Sequence, residues 1–465
     1  RRCQHPLDSN LSEQPDMHPT FRFALLALAG ALFAPGPAPA ADDCTREPTG
    51  NGAIFFHPDG TSAGHWDAMR ILHYGPDGTS NWDRLPEMAP YRGHVSDRLT
   101  SSSNAGASIH ATGTRTWVGS FGLDRDGNEL RAANGSRRTI MEEAVACGLG
   151  TALVQTGSVI EPGTAVFVAD AENRYEDAEE IALEVIESGV DILLGAGEEW
   201  LLPEGVQGRF GPGRRSDGRN LIDAARERGY AVVYTRDEMR SLPADAERVL
   251  GVFAHDDTFF DQPEEALRAA GLPNFLDSAP TVAEMTAFAL ERIGDRPGGF
   301  LAVIEEEGSD NFCNKMNASG CLDALKRADD AIATMADFLA ANPETFLVTT
   351  SDSNAGGMQI RDMPAADQPV PANAPDSGAA LDGRDGTETL PFIAAPDRAG
   401  REFPLAIAWN SSLDIGSGVI ARAAGLKAGE LLPASGVANT DIYRMLYFTL
   451  FGQRLPPAGA ARGEE

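Results

Sequence analysis

Lysine is nearly missing from this chain. Lys315, Lys326 and Lys427 are the only three, so almost all positive charge is arginine, and the formal net charge is −31. So acidic a chain is repelled by bare nucleic acid and by anionic membrane, which argues against both as partners. It suits a cation-binding protein or a salty habitat. Long apolar runs are also missing. The longest, Phe23 to Phe33, is too short to span a bilayer. It follows Met17 and Arg22 and precedes Ala38-Pro39-Ala40, the pattern of an export signal with a small-residue cleavage site. On this reading residues 1–16 lie upstream of the start, residues 1–40 are leader plus signal peptide, and the mature protein is periplasmic or secreted, with no membrane contact after cleavage. No Cys-x-x-Cys pair exists to suggest a cysteine metal site. No Gly-x-Ser-x-Gly elbow surrounds the serine-rich segment Ser101–Ser108, so a serine hydrolase triad is unsupported there.

Four cysteines remain after the expected cleavage: Cys44, Cys147, Cys313 and Cys321. An even number in an exported chain predicts disulfides. Cys313–Cys321 closes a short loop, which leaves Cys44–Cys147. Short apolar runs alternate with helical periodicity along most of the mature chain. Strands are expected at Ala53–Phe56, Ala152–Gln155, Asp191–Leu194, Ala231–Tyr234, Val249–Phe253, Phe300–Ile304, Thr345–Thr349 and Pro404–Trp409. Helices are expected near Thr139–Ala146, Asp177–Ser188, Asn220–Gly229, Thr281–Ile293, Leu322–Ala341 and Asn439–Leu450. This alternation predicts an α/β fold, a mainly parallel sheet with helices on both faces. Residues 41–465 read as one catalytic domain with a loop-rich insert near 355–403.

In such sheets ligands gather at the carboxyl ends of strands, and here those ends carry acids. Phe56-His57-Pro58 leads to Asp59-Gly60, Phe300–Ile304 to Glu305-Glu306-Glu307-Gly308-Ser309-Asp310, and Thr345–Thr349 to Ser351-Asp352-Ser353-Asn354. Carboxylates collected at one edge repel one another unless cations lie between them. A single such acid is more often a cap or turn residue; three with flanking hydroxyls and amides favour metal binding. Ser101-Ser102-Ser103-Asn104 opens a run of small residues that Gly113 can close as a helix. A serine there has free backbone N–H groups and the positive helix end beside it, a setting for a phosphoryl group, although a cap is the commoner role.

Together these segments resemble the alkaline phosphatase family along nearly the whole mature chain. Asp59-Gly60 is similar to the end of the family's first metal strand. Thr112-Gly113-Thr114-Arg115-Thr116 matches the close of its nucleophile motif and places the nucleophile at Ser103; the preceding Asp is Ser102 here. Glu161-Pro162-Gly163-Thr164 resembles the magnesium-side segment, and Arg174 follows Glu161 at the spacing of the phosphate-clamping arginine. The resemblance implies a three-layer sandwich, a phosphate monoesterase working through phosphoserine on small phosphorylated substrates, and homodimers, which are common in the family. Asn104, Arg174 and His110 become the expected substrate contacts, although a lone His110 more often packs than binds. His57 reads as structural and His255 as part of a solvated turn.

Three positions depart from the family. Glu305 and Asp310 keep their spacing, but Asn314, Ser353-Asn354 and Asp414 stand where zinc-ligating imidazoles are usual. Oxygen donors suit hard cations, so Ca²⁺ or Mg²⁺ is expected, Mn²⁺ is admissible and Zn²⁺ is disfavoured. One cation is assigned to Asp59, Ser103 and Asp352, a second to Asp310, Asn314 and Asp414, and a third to Glu305 with Glu161 or Thr164. The alternatives are a phosphodiesterase of the same superfamily and a catalytically silent calcium-binding protein; the Cys/Ser-x-Pro-x-Arg motif of the sulfatase branch is absent.

Overall fold

The computed structural model describes Cys44 and residues 46–458, so the expected leader and signal peptide lie outside the described residues. A ten-stranded sheet forms the middle layer. Its strand order is Val437–Ala438, Glu87–Arg92, Ile420–Gly425, Thr345–Thr349, Gly52–Pro58, Phe300–Glu306, Gly150–Ser158, Ile192–Ala196, Val249–Val252 and Ala231–Val233. From Thr345–Thr349 to Ala231–Val233 every pairing is parallel; Ile420–Gly425 runs antiparallel to its neighbours. Gly52–Pro58, Gly150–Ser158 and Phe300–Glu306 are buried along their whole length, as central parallel strands covered on both faces must be. One face packs on Ser103–Thr112, Ile140–Ala146 and Asn439–Phe451 through Phe55, Phe167 and Tyr443. The other packs on Val282–Ile293 and Ala318–Ala341 through Phe56, Phe300 and Ile332. The molecule is thus the expected three-layer α/β sandwich.

The main departure concerns Pro404–Trp409. Expected in the large sheet, it instead centres a small antiparallel sheet with Gln359–Asp362, Ala380–Asp382 and Phe392–Ile393. Strands with only partial burial, Glu87–Arg92 and Ile420–Gly425, were not legible as apolar runs and fill the antiparallel side instead. Both expected disulfides are present, Cys44–Cys147 and Cys313–Cys321, with Cα separations of 5.3 and 5.4 Å.

The small sheet docks beside a buried acid. Glu264 is 7% exposed and accepts from the Ser319 N–H at 3.0 Å. Burial, reinforced by Asp382, pushes its carboxyl up to about 8. The folded state therefore holds a proton that the unfolded chain releases near pH ~4.3. The contribution of this group to stability is greatest below that value and falls as pH rises toward 8, by up to about 1.4 kcal/mol per pH unit. Glu264→Gln keeps a neutral group and should flatten this decline, which urea unfolding from pH 5 to 8 would reveal.

Candidate active site

The strand Gly52–Pro58 delivers His57 and Asp59 to its carboxyl end, both fully buried. Gly60 then turns with φ 66°, and a Cβ there would come within 2.5 Å of Asp310 Oδ1. Glycine is thus needed both for the left-handed turn and for Asp310 to approach Asp59. Asp59 Oδ1 accepts from the Gly60 N–H at 2.7 Å, and the nearby Ser103 side chain helps to hold that carboxyl low.

Ser103 is the first residue of the helix Ser103–Thr112. The capping role that competes with catalysis falls to its neighbour: Ser102 Oγ accepts from Ala105 N–H at 3.3 Å and donates to the Val118 carbonyl at 2.5 Å. This frees Ser103 to face Asp59. Asp352, 2% exposed, lies against the same helix because Gly106 has no side chain; a Cβ there would meet Asp352 Cβ at 2.3 Å. Asp59, Ser103 and Asp352 thus converge. Arg174 lies beside them, with Nη1 donating to Asn104 Oδ1 at 3.2 Å and Nη2 lying 3.2 Å from Glu161 Oε2. Asn104 and Glu161 together fix the direction of the guanidinium fork.

The second group also assembles, with one correction. Asn314 was assigned as an oxygen ligand, but its amide faces the other way. Oδ1 accepts from the Gly356 N–H at 3.2 Å, which turns Nδ2 toward the acids. Nδ2 donates to Asp310 at 3.0 Å and to Asp414 at 2.9 Å. Asn314 is a donor bridging two carboxylates, and the oxygen positions belong to Asp310 and Asp414. In the third group Thr164 accepts from Gln155 Nε2 at 2.6 Å, and Glu161 is engaged by Arg174. Glu305 lies over Gly163, where a Cβ would fall 1.6 Å from its Oε1.

His110 is not a substrate contact. Seven residues along a helix is about 10 Å from its start, and the ring is buried there. Its Nε2 pairs with the Tyr91 hydroxyl at 2.7 Å, and its edge meets the rings of Phe55 and His57. Two residues without an assigned role do enter the cluster. His57 lies among Asp59, Glu305 and Asp352. Glu307 is 2% exposed, with its side chain against Gly157 beside Glu161. The available signal was position alone, since His57-Pro58 closes its strand just before Asp59 and Glu307 directly follows the strand that carries Glu305.

The electrostatics demand positive charge. Burial first, then neighbouring acids, hold Asp310, Asp352 and Glu307 well above the ordinary carboxyl range and push Glu305 up to about 7. Burial pushes Asp59 the same way, but His57 and its hydrogen bonds win and hold it low. Asp59 Oδ2, both Asp352 oxygens, both Glu305 oxygens and Glu307 Oε2 are buried without a hydrogen-bond partner. Orphaned oxygens from several chain segments, aimed into one space, are the donor set of a divalent cation site.

Comparison with known proteins identifies the family and the fold. The chain matches the family described as alkaline phosphatase over residues 51–387. It is 25% identical to alkaline phosphatase 4 of Bacillus subtilis over 271 residues, covering 56% of this chain and 50% of that protein. It is 26% identical to the repressible alkaline phosphatase of Saccharomyces cerevisiae over 309 residues, covering 62% and 52%. It is 25% identical to the alkaline phosphatase of Escherichia coli over 374 residues, covering 70% and 76%. The chain spans about half the length of the first two relatives. Among solved structures, Thermus thermophilus alkaline phosphatase superposes with a TM-score of 0.66 at 21% identity, covering 92% of this chain and 97% of that one. The enzyme from the Antarctic bacterium TAB5 gives 0.63 at 18%, covering 87% and 98%. The chain belongs to the alkaline phosphatase family.

Proposed function

We propose that this protein hydrolyses phosphate monoesters with Ser103 as nucleophile and divalent cations as cofactors. The observation that carries the reading is Ser103 at a helix start, with the Arg174 fork held by its neighbour Asn104, near buried carboxylate oxygens that lack partners. Asp59, Asp352 and Ser103 would hold one cation, and Asp310 with Asp414 another. Such cations supply Lewis-acid polarisation and charge neutralisation at the phosphoryl group. Arg174 binds two non-bridging oxygens through its fork and offsets charge that develops during transfer. The helix start adds backbone N–H groups to the same face. Ser103 Oγ attacks phosphorus as the ester P–O bond breaks, and the proton it loses passes to the nearby Asp59 carboxylate and on to the departing oxygen, which leaves as the alcohol. Water then cleaves the phosphoserine, returning Ser103 and releasing phosphate.

Mg²⁺, Ca²⁺ or Mn²⁺ fits a set built mainly of carboxylates better than Zn²⁺ does. Export is part of the proposal: it rests on the Met17–Ala40 pattern and on two disulfides, which persist in oxidising compartments. No helix among the described residues is long and apolar enough to cross a membrane.

The test strips the purified protein with a chelator and restores one cation at a time. Mono- and bis-(nitrophenyl) phosphate are assayed in parallel. Restoration by Mg²⁺, Ca²⁺ or Mn²⁺, with the monoester turned over faster, is the expected result. A faster diester would make the protein a phosphodiesterase. No turnover with any cation would leave a silent cation-binding protein.

A further inference from the structure

His57 has neither a solvent path nor a settled partner. It is 0% exposed, and neither ring nitrogen makes an aligned hydrogen bond. Nδ1 stands 3.3 Å from Glu305 Oε1. Nε2 stands 3.4 Å from Asp59 Oδ1 and 4.0 Å from Asp352 Oδ1. Two ligands each about 2.1 Å from one ion lie no more than ~4.2 Å apart, so Asp59 Oδ1 and Asp352 Oδ1 each stand close enough to Nε2 to share an ion with it. A ligating imidazole typically gives its other N–H to a carboxylate, which fixes its tautomer and direction; Glu305 is in place to accept it.

From this geometry we infer that His57 Nε2 ligates the cation shared by Asp59, Asp352 and Ser103, with Glu305 orienting the ring. The inference rests on the metal-dependent reading above and changes it in two ways. The position beside the nucleophile has one nitrogen donor, so it accepts Mn²⁺, Co²⁺ or Zn²⁺ more readily than Ca²⁺, while the Asp310–Asp414 position stays oxygen-only. Glu305 then acts on the imidazole rather than on a third cation. The two other buried histidines are otherwise occupied. His110 Nε2 is paired with Tyr91. His65 is engaged at Nδ1 by Ser62 and at Nε2 by the Ala355 carbonyl. The thiols beside His65 are joined in the Cys313–Cys321 disulfide, so that trio is no metal site.

The experiment loads metal-stripped wild type, His57→Gln, His110→Gln and Glu305→Gln with Mn²⁺ and follows binding by calorimetry and ¹⁴N coupling by pulsed electron paramagnetic resonance. Wild type and His110→Gln should show a directly bonded nitrogen. His57→Gln should lose the coupling and bind that Mn²⁺ at least tenfold more weakly. Glu305→Gln should keep the coupling with affinity reduced by about 10–100-fold. The wild-type signal stands even if a variant folds poorly. Bound Mn²⁺ without nitrogen coupling, or coupling unchanged in a folded His57→Gln, would overturn this inference and leave metal dependence intact. Failure of wild type to bind Mn²⁺, Mg²⁺ or Ca²⁺ at all would remove both.

Discussion

Ser103→Ala should reduce kcat toward saturating monoester by about 10³-fold or more while leaving phosphate binding largely intact. The substitution removes one oxygen and little else: Asp59, Asp352, Asn104 and Arg174 come from other positions and keep their places. It should also abolish a covalent phosphoryl adduct that an acid quench traps in the wild type and that peptide mass spectrometry places on Ser103. Ser102 is the informative control. It caps the helix, so Ser102→Ala should cost about 1 kcal/mol of stability and only a small part of the rate. Full activity in Ser103→Ala, or an adduct on Ser102, would remove the proposed nucleophile. The two serines are adjacent; the capping bonds of Ser102 and the register of Thr112–Thr116 distinguish them.

Arg174→Ala carries the second large effect, a loss of about 10²–10³-fold in kcat/KM, the usual scale for deleting one donor to transition-state charge. Arg174→Lys should recover only part of it, because an ammonium cannot span two phosphoryl oxygens as a planar fork does. Stability complicates the Ala variant. Glu161 Oε2 lies 3.2 Å from Arg174, and burial already raises that carboxyl, so removing the guanidinium strands an acid. Arg174→Ala with Glu161→Gln should therefore regain thermal stability but not activity. If the double variant regained both, Arg174 would hold the structure and would not clamp the substrate.

The alternation of apolar strands and periodic helices made the parallel core legible, because strands buried on both faces read as continuous apolar runs. Glu87–Arg92 and Ile420–Gly425 lack that signature, since only every second residue or so is buried. Asp59, Asp310 and Asp352 were legible because each follows a readable strand. The direction of the Asn314 amide was not legible, because which end of an amide faces a carboxylate depends on the Gly356 N–H, a partner in another segment. His57 was passed over because a histidine inside an apolar strand looks structural until the acids of two other strands are seen around it. His110 failed for the opposite reason, since its helix position suggested an approach that Tyr91 and Phe55 had already taken.

The strand order has a consequence for how the site comes into being. Gly52–Pro58 lies between Thr345–Thr349 and Phe300–Glu306, so the earliest strand of the large sheet pairs only with segments made far later. Asp59 meets Asp352 and Asp414 after most of the chain exists. Closing such long loops costs entropy before any contact offsets it, and topologies of this kind fold slowly. No fragment ending before Thr345 can build the cation site, however well its local helices form. Ions held by these acids, as proposed, would therefore be captured late in maturation, on a sheet already formed.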